Sequence, residues 1–462
     1  MTTFTIISLG NVEFLGQVLN AVAMVCGTGN FRQLCICGAI IGLLFIGFQC
    51  IFQGGQRINL QHTMVCMICY MLFFGPSCTV VVEDAQSSTY TRTIDNVPFG
   101  VGVAGTTISG IGYGLTKLIE QAYGTADRTA DYSYNEPLKI LTSLRNATES
   151  DEIWSTLDGI CGAGCNTRQA TINYLSECTA TAMQQGRITN TEIYKADLGS
   201  ADAGGVDIFK FDSPAYMTML PIVEGGKLVG ASEDGYVTCK EGWPILKKAV
   251  FNKLKTTEVA TQLNKMLGNK EISADGTKKV VADWSRIQGS FESLGITATT
   301  AQDFVVASVI RPTFEKAAAS YYTKMQDYSK ALAINQAIAQ RNVQWAAEQS
   351  MFLSSARAFI AYFEGFVYAI TPIVGAFGLS LVGKYFLVLV WIQLWLPCMS
   401  IANLYTMTGA RSDMISASLG GASFYAVDDM LAQAQTWVAT GGFLFAATPM
   451  MALFLVGGSM YA

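Results

Sequence analysis

Twelve cysteines and a single histidine are the residues of this chain best suited to chemistry, and their placement limits what that chemistry is. Zinc centres built on several imidazoles, Ser-His-Asp triads and Cys-His pairs all need histidine beside the reacting atoms. His62 stands alone at the edge of an apolar run and serves none of them. Eight cysteines (Cys26, Cys35, Cys37, Cys50, Cys66, Cys69, Cys78 and Cys398) fall in or beside apolar segments and read as small hydrophobes. The other four, Cys161, Cys165, Cys178 and Cys239, form an even set in a polar region, the pattern of a disulfide framework in an oxidising compartment. Four unpaired thiols and a four-cysteine zinc site are the alternatives, although the CGAGC spacing lacks the two-residue gap of zinc ribbons. As disulfides, the four allow three connectivities.

Two polar groups stand inside apolar runs. Glu364 lies two helical turns after Arg357, near the outer end of an expected span. Intramembrane acids face a bundle interior or an aqueous path, so a lumen-facing Glu364 is a functional candidate, with simple interfacial solvation as its alternative. Gln393, between Trp391 and Trp395, is placed to bond across helices or to line a passage. No G-x-x-x-x-G-K-[ST] run occurs, which excludes a Walker A ATPase. Gly100, Gly102 and Gly105 fit G-x-G-x-x-G, but the pattern shows no buried strand before them and no βαβ unit after, so dinucleotide binding is not expected. Asp428 and Asp429 read as a solvated loop pair. No catalytic residue, metal or cofactor follows from these residues, bound lipid excepted.

The elements that must position these residues are written in the charge distribution. Only 14% of the 462 residues are charged, against about 25% in a typical soluble domain. Thirty Lys and Arg face 35 Asp and Glu, so no basic excess exists to bind nucleic acid directly. Of the 30 basic residues, 26 lie between Glu83 and Arg357, which makes one polar block between two apolar ends. Leu34–Phe52 and Met64–Val82 are uncharged runs of 19 residues, and Phe359–Val382, Tyr385–Tyr405 and Trp437–Met460 follow the block. Each approaches the roughly 20 residues a spanning helix needs. The expected fold is therefore predominantly α, a polytopic membrane protein with about five transmembrane helices and a large, mostly helical domain inserted between helices 2 and 3. Lys and Arg counts in the short loops tie, and the even cysteine set places the inserted domain outside the cytoplasm.

The expected segments are an amphipathic interfacial helix over 1–30, helices 1–2 over 34–82, the extracytoplasmic domain over 83–311, a long stalk helix over 312–357, helices 3–4 over 358–405, an outer loop over 406–436 and helix 5 over 437–462. The first rests on Phe4, Ile7, Val12, Leu15, Leu19, Val22 and Val25, which share a helical face. The stalk rests on Pro312, a favoured first-turn residue, and on the Pro-free stretch Thr313–Ile370, about 85 Å long if continuous. A break near Ser354 and Ser355 is the alternative. Pro98 opens a glycine-rich helical stretch, Phe99–Leu118, and Asp202–Cys239 reads as loop or hairpin.

Four strings carry a resemblance. IDNVPFG (Ile94–Gly100, with Asp95, Asn96, Pro98 and Gly100), Thr238-Cys239-Lys240-Glu241 followed by Leu246-Lys247, VWIQLWLP (Val390–Pro397, with Trp391, Gln393 and Trp395), and Ala439-Thr440-Gly441 through Pro449 occur in this order. Together they resemble the N-terminal region of the TraG family of conjugative transfer proteins. The resemblance implies an inner-membrane component of an F-type conjugative type IV secretion system with its main soluble domain in the periplasm. The missing Walker A sets it apart from the unrelated coupling ATPase of the same name. It further implies pairing of Cys178 with Cys239, leaving Cys161 to Cys165, and the partners of such a system: further copies of the chain, five in number by analogy with the channel subunit, other secretion components, pilin and membrane lipid. Mating-pair stabilisation and entry exclusion, the latter through an exclusion protein of the recipient, belong in the family to a long C-terminal domain that these residues do not include. A secondary transporter and a membrane-anchored periplasmic enzyme are the competing readings. The first lacks inverted repeats, and the second has no singled-out acid pair beyond candidates such as Asp151 and Glu152.

Overall fold

The computed structural model describes residues 3–52, 68, 71–84, 91–123, 135–200, 205–224, 227–229, 235–268, 270–272, 278–324, 351–377 and 379–461. The chain is predominantly helical and divides into two compact units: Met1–Tyr134 with Ser350–Tyr405 and Gly441–Ala462, and Asn135–Gln349 with Thr406–Thr440. The unit nearest to the domain expected over 83–311 thus begins at Asn135, and residues 83–134 group with the apolar ends.

At the centre of the first unit is a three-stranded sheet, β1 (Thr3–Ser8), β2 (Ser77–Asp84) and β3 (Thr91–Pro98), with β1 parallel to β2 and β2 antiparallel to β3. This corrects two expectations. The segment 1–30 opens with a strand, and the run Met64–Val82 ends in one. The physical reason is that Val80, Val81 and Val82 are β-branched and stiff at χ1, suited to a pleated surface. Their ladder partners come from Thr5 and its neighbours, too distant in sequence for a local hydropathy window to reveal. Cys78, Val80 and Val82 alternate onto the buried face. Helix Val12–Cys26 begins at Asn11, whose side chain accepts the Phe14 N–H at 3.1 Å. Its Val12, Leu15 and Leu19 share a core with Ile6, Val80 and Val97, so the apolar face foreseen for a membrane surface is turned onto the protein.

Helix Phe99–Tyr123 follows β3 directly. A strand therefore does precede Gly100, Gly102 and Gly105, contrary to the sequence pattern. Side chains fill the space over these glycines: an added Cβ would meet the Phe73 ring at 2.0 Å, Cys78 Sγ at 2.6 Å and Ile6 Cδ1 at 2.5 Å. The glycines seat the helix on the sheet and leave no room there for a pyrophosphate.

Among the described residues, two helices are long and apolar enough to cross a membrane, Gly383–Gly420 and Phe424–Gly457, or three if Val12–Cys26 and Gly29–Gly38, bent by 71°, count as one. The expected run Leu34–Phe52 lies within helix Gly29–Phe52. The run Phe359–Val382 is instead broken, into helices Met351–Ala369 and Thr371–Phe377. Pro372 follows the break, and the Thr371 hydroxyl fixes it by donating to the Tyr368 carbonyl at 2.6 Å and lying 2.9 Å from the Tyr385 hydroxyl.

The second unit has one core, in which Tyr174, Phe209, Trp243, Phe251, Phe314 and Phe424 are buried together. The Asp202–Cys239 region forms hairpins as foreseen, β4 (Met217–Met219) with β7 (Tyr236–Thr238) and β5 (Val223–Glu224) with β6 (Lys227–Leu228). Pro312 does not start its helix. That helix runs from Ala301 to Lys324, after Thr300 accepts the Asp303 N–H and donates to its carboxylate. Residues 325–350 of the expected stalk lie outside the described residues, and 351–357 open the helix Met351–Ala369. Residues 406–436, expected as a loop, are mostly helical, shared by Trp395–Ala417 and Phe424–Tyr461. Asp428 accordingly sits in a helix and pairs with the buried Arg311, rather than in a solvated loop.

Candidate functional site

The four cysteines of the polar region come together in two pairs at disulfide distance, Cys178 with Cys239 and Cys161 with Cys165, with Cα separations of 5.7 and 6.0 Å. Cys178 belongs to a π-helical turn, Leu175–Thr179, and Cys239 opens the helix Cys239–Leu246. The local reason for that helix is the Thr-Cys-Lys-Glu string: Thr238 accepts the Glu241 N–H at 3.3 Å, and its hydroxyl meets the Glu241 carboxylate at 2.9 Å. Lys247, at the end of the string, binds Asp207 at 2.9 Å, and Trp243 Nε1 donates to the same carboxylate at 2.6 Å. Burial pushes Asp207 up, but these two hydrogen bonds and the Lys247 charge outweigh it and hold the carboxyl below its usual range.

Tyr174, which sequence reasoning did not single out, locks this clamp. Its hydroxyl donates to the Cys239 carbonyl at 3.1 Å and accepts the Phe211 N–H at 3.2 Å. Burial raises the phenol to about 12, so it remains a donor at any physiological pH. No local spacing marks it, because both of its partners are backbone groups from distant segments.

In the first unit, Glu364 is buried against the N-terminal strand. The Ser8 hydroxyl and the Leu9 N–H both donate to its carboxylate at 3.1 Å. Two close approaches set this up. A Cβ on Gly10 would fall 2.4 Å from Ala361, and one on Gly365 would fall 2.3 Å from the Phe14 ring.

The remaining motif residues are engaged in packing and hydrogen bonds, the Gln393 amide excepted. Asp95 accepts the Thr79 hydroxyl at 2.7 Å across a register shift in the β2–β3 ladder, and Asn96 takes the left-handed conformation (φ 63°) that this bulge requires. Pro98 ends the strand, and Gly100 admits Phe73. Trp391 and Trp395 meet edge to face at 5.0 Å, and Phe363 contacts both. Trp391 Nε1 donates to the Pro449 carbonyl at 2.9 Å, so two strings far apart in sequence are joined by one hydrogen bond. Gln393 is buried against Gly112, an added Cβ there falling 3.0 Å from it, and its amide atoms have no hydrogen-bond partner among the described residues.

These contacts hold shape: two disulfide pairs, a buried tyrosine pin, a carboxylate clasp and tightly seated glycines. Among the described residues no group of three or more His, Cys, Asp and Glu is placed to hold a metal. Comparison with curated proteins and with solved structures finds no match. A family model does match, described as TraG-like protein, N-terminal region, over residues 5–462. With that match across nearly the whole chain, and with helices apolar enough to cross a membrane, the protein belongs to the TraG-like N-terminal-region family and is a conjugation-related membrane protein.

Proposed function

We propose that the protein is an inner-membrane scaffold of a bacterial conjugative type IV secretion system, acting in pilus assembly and in DNA transfer out of the donor. The observation that carries this reading is the family match over residues 5–462, in a chain whose motif residues are spent on packing and clamping. The Asn135–Gln349 unit lies in the periplasm, where its cysteine pairs are stable. The spans that anchor the chain are Gly29–Phe52, the broken Met351–Phe377 segment and the two long helices, four of the five foreseen. Several copies ring a central axis, five by analogy with a channel subunit, and the ring meets pilin, other secretion components and lipid. The buried pair Gly441 and Gly442 suits close helix packing.

The test is deletion of the gene in a conjugative donor. Pili and transfer are lost and return with the wild-type gene, and the purified protein runs as an oligomer in mild detergent. Unchanged transfer on deletion would sink the role, and a monomer at every concentration would sink the ring.

A further inference from the structure

The two cysteine pairs differ in what surrounds them. Cys178 and Cys239 are fully buried, with the Cys239 carbonyl held by Tyr174. Cys161 and Cys165 are half-exposed and close a turn whose Ala163 and Gly164 are exposed, and nothing lies within 4 Å of a Cβ built on Gly162. Gly162 and Gly164 hold positive φ (125° and 90°), a conformation that suits glycine in so tight a turn. The sulfurs themselves are unequal. Cys165 Sγ accepts the Val223 N–H at 3.2 Å and precedes Asn166, the cap of helix Thr167–Tyr174, whereas Cys161 is the last residue of its own helix, Asp151–Cys161. The nearby Asp158 carboxylate is engaged by the Thr167 N–H and hydroxyl, both at 2.7 Å.

We propose that Cys161–Cys165 is a thiol–disulfide exchange site whose substrate is the dithiol of a thioredoxin-class protein. A thiolate of that partner attacks Cys161 Sγ. The Cys161–Cys165 bond breaks, and its electron pair leaves on Cys165 Sγ, where the Val223 N–H stabilises the thiolate. The partner's second thiolate then attacks its own sulfur in the mixed disulfide, releasing Cys161, and both cysteines take up protons. This chain gains two electrons and two protons, and the partner is oxidised to its disulfide. The buried Cys178–Cys239 pair takes no part, since no thiolate reaches it in the folded unit.

The experiment uses the intact protein in detergent. Under a fixed low concentration of dithiothreitol, with alkylation and mass mapping over time, Cys161 and Cys165 become alkylated at least about tenfold faster than Cys178 and Cys239. Opening of both pairs at one rate, or of the buried pair first, would overturn the proposal. A thioredoxin lacking its resolving cysteine is then offered to the wild-type protein, and a mixed disulfide on Cys161 is expected. A mixed disulfide on Cys165, or none, would equally overturn it. Neither readout depends on conjugative activity, so its failure is separable from that of the scaffold role.

Discussion

Glu364 and Leu9 are joined by a hydrogen bond in which both carboxylate oxygens share one backbone N–H, at 3.1 and 3.3 Å. The contact pins the end of β1 to the helix Met351–Ala369, so the strand that begins the chain is held from the other side of the polar block. Glu364→Ala leaves the Leu9 N–H and the Ser8 hydroxyl buried without their acceptor, at a cost of about 1–3 kcal/mol for each such group. The expected outcome is a lower unfolding temperature in detergent and faster chymotrypsin cleavage after Phe4 and Phe14. An unchanged N-terminal cleavage rate would show that the carboxylate does not hold the strand.

Gly100 and Phe73 occupy space that cannot be shared with a methyl group. Gly100→Ala should cost about 1–3 kcal/mol by overpacking, despite the better helix propensity of alanine. In a double-mutant cycle with Phe73→Ala the two losses should fall clearly short of additive, because removing the ring opens the place the methyl needs. Strict additivity of the unfolding free energies would refute this packing account.

The Cys178–Cys239 disulfide closes a separation of 61 residues, and Cys161–Cys165 one of 4. On the chain-entropy model, Cys178→Ser should destabilise the unit by about 4 kcal/mol and Cys161→Ser by about 2. Tyr174→Phe should cost about 1–3 kcal/mol by stranding the Phe211 N–H. Urea midpoints read by tryptophan fluorescence rank the three variants, and an equal or inverted effect of the two cysteine changes would contradict the ranking.

Asp207 gives the second unit an acid-sensitive contact. Its carboxyl is held below the unfolded value of about 3.9, so its stabilisation is fully present above that value and is lost as pH falls through the lower folded value. The gap in urea midpoint between the wild type and Asp207→Asn should therefore be constant near neutral pH and shrink below about pH 4. A gap that widened with acid would have the wrong sign.

Membrane character, helical class and the hairpin region before Cys239 were all readable from residue order, because hydropathy and turn residues are local signals. The four strings that point to the family were readable for the same reason, although not what they do. Thr238 and Glu241 are a helix cap, Asn96 fits a bulge, and Trp391 reaches Pro449; each of these roles needs a partner or backbone angle that a string does not contain. The three-stranded sheet escaped notice because β2 pairs with β1 across the whole Leu34–Phe52 run, and an apolar β-branched run reads equally as span or buried strand. Pro312 misplaced a helix start because proline suits a first turn, whereas here it lies inside the helix Ala301–Lys324, whose start is the Thr300 cap. Residue types and their spacing thus settle which segments avoid water and which cysteines are available to pair. Which face each segment buries, and that Glu364 closes on Leu9 instead of on water, depends on long-range pairings whose energies exist only once the chain has brought those groups within about 3 Å of each other.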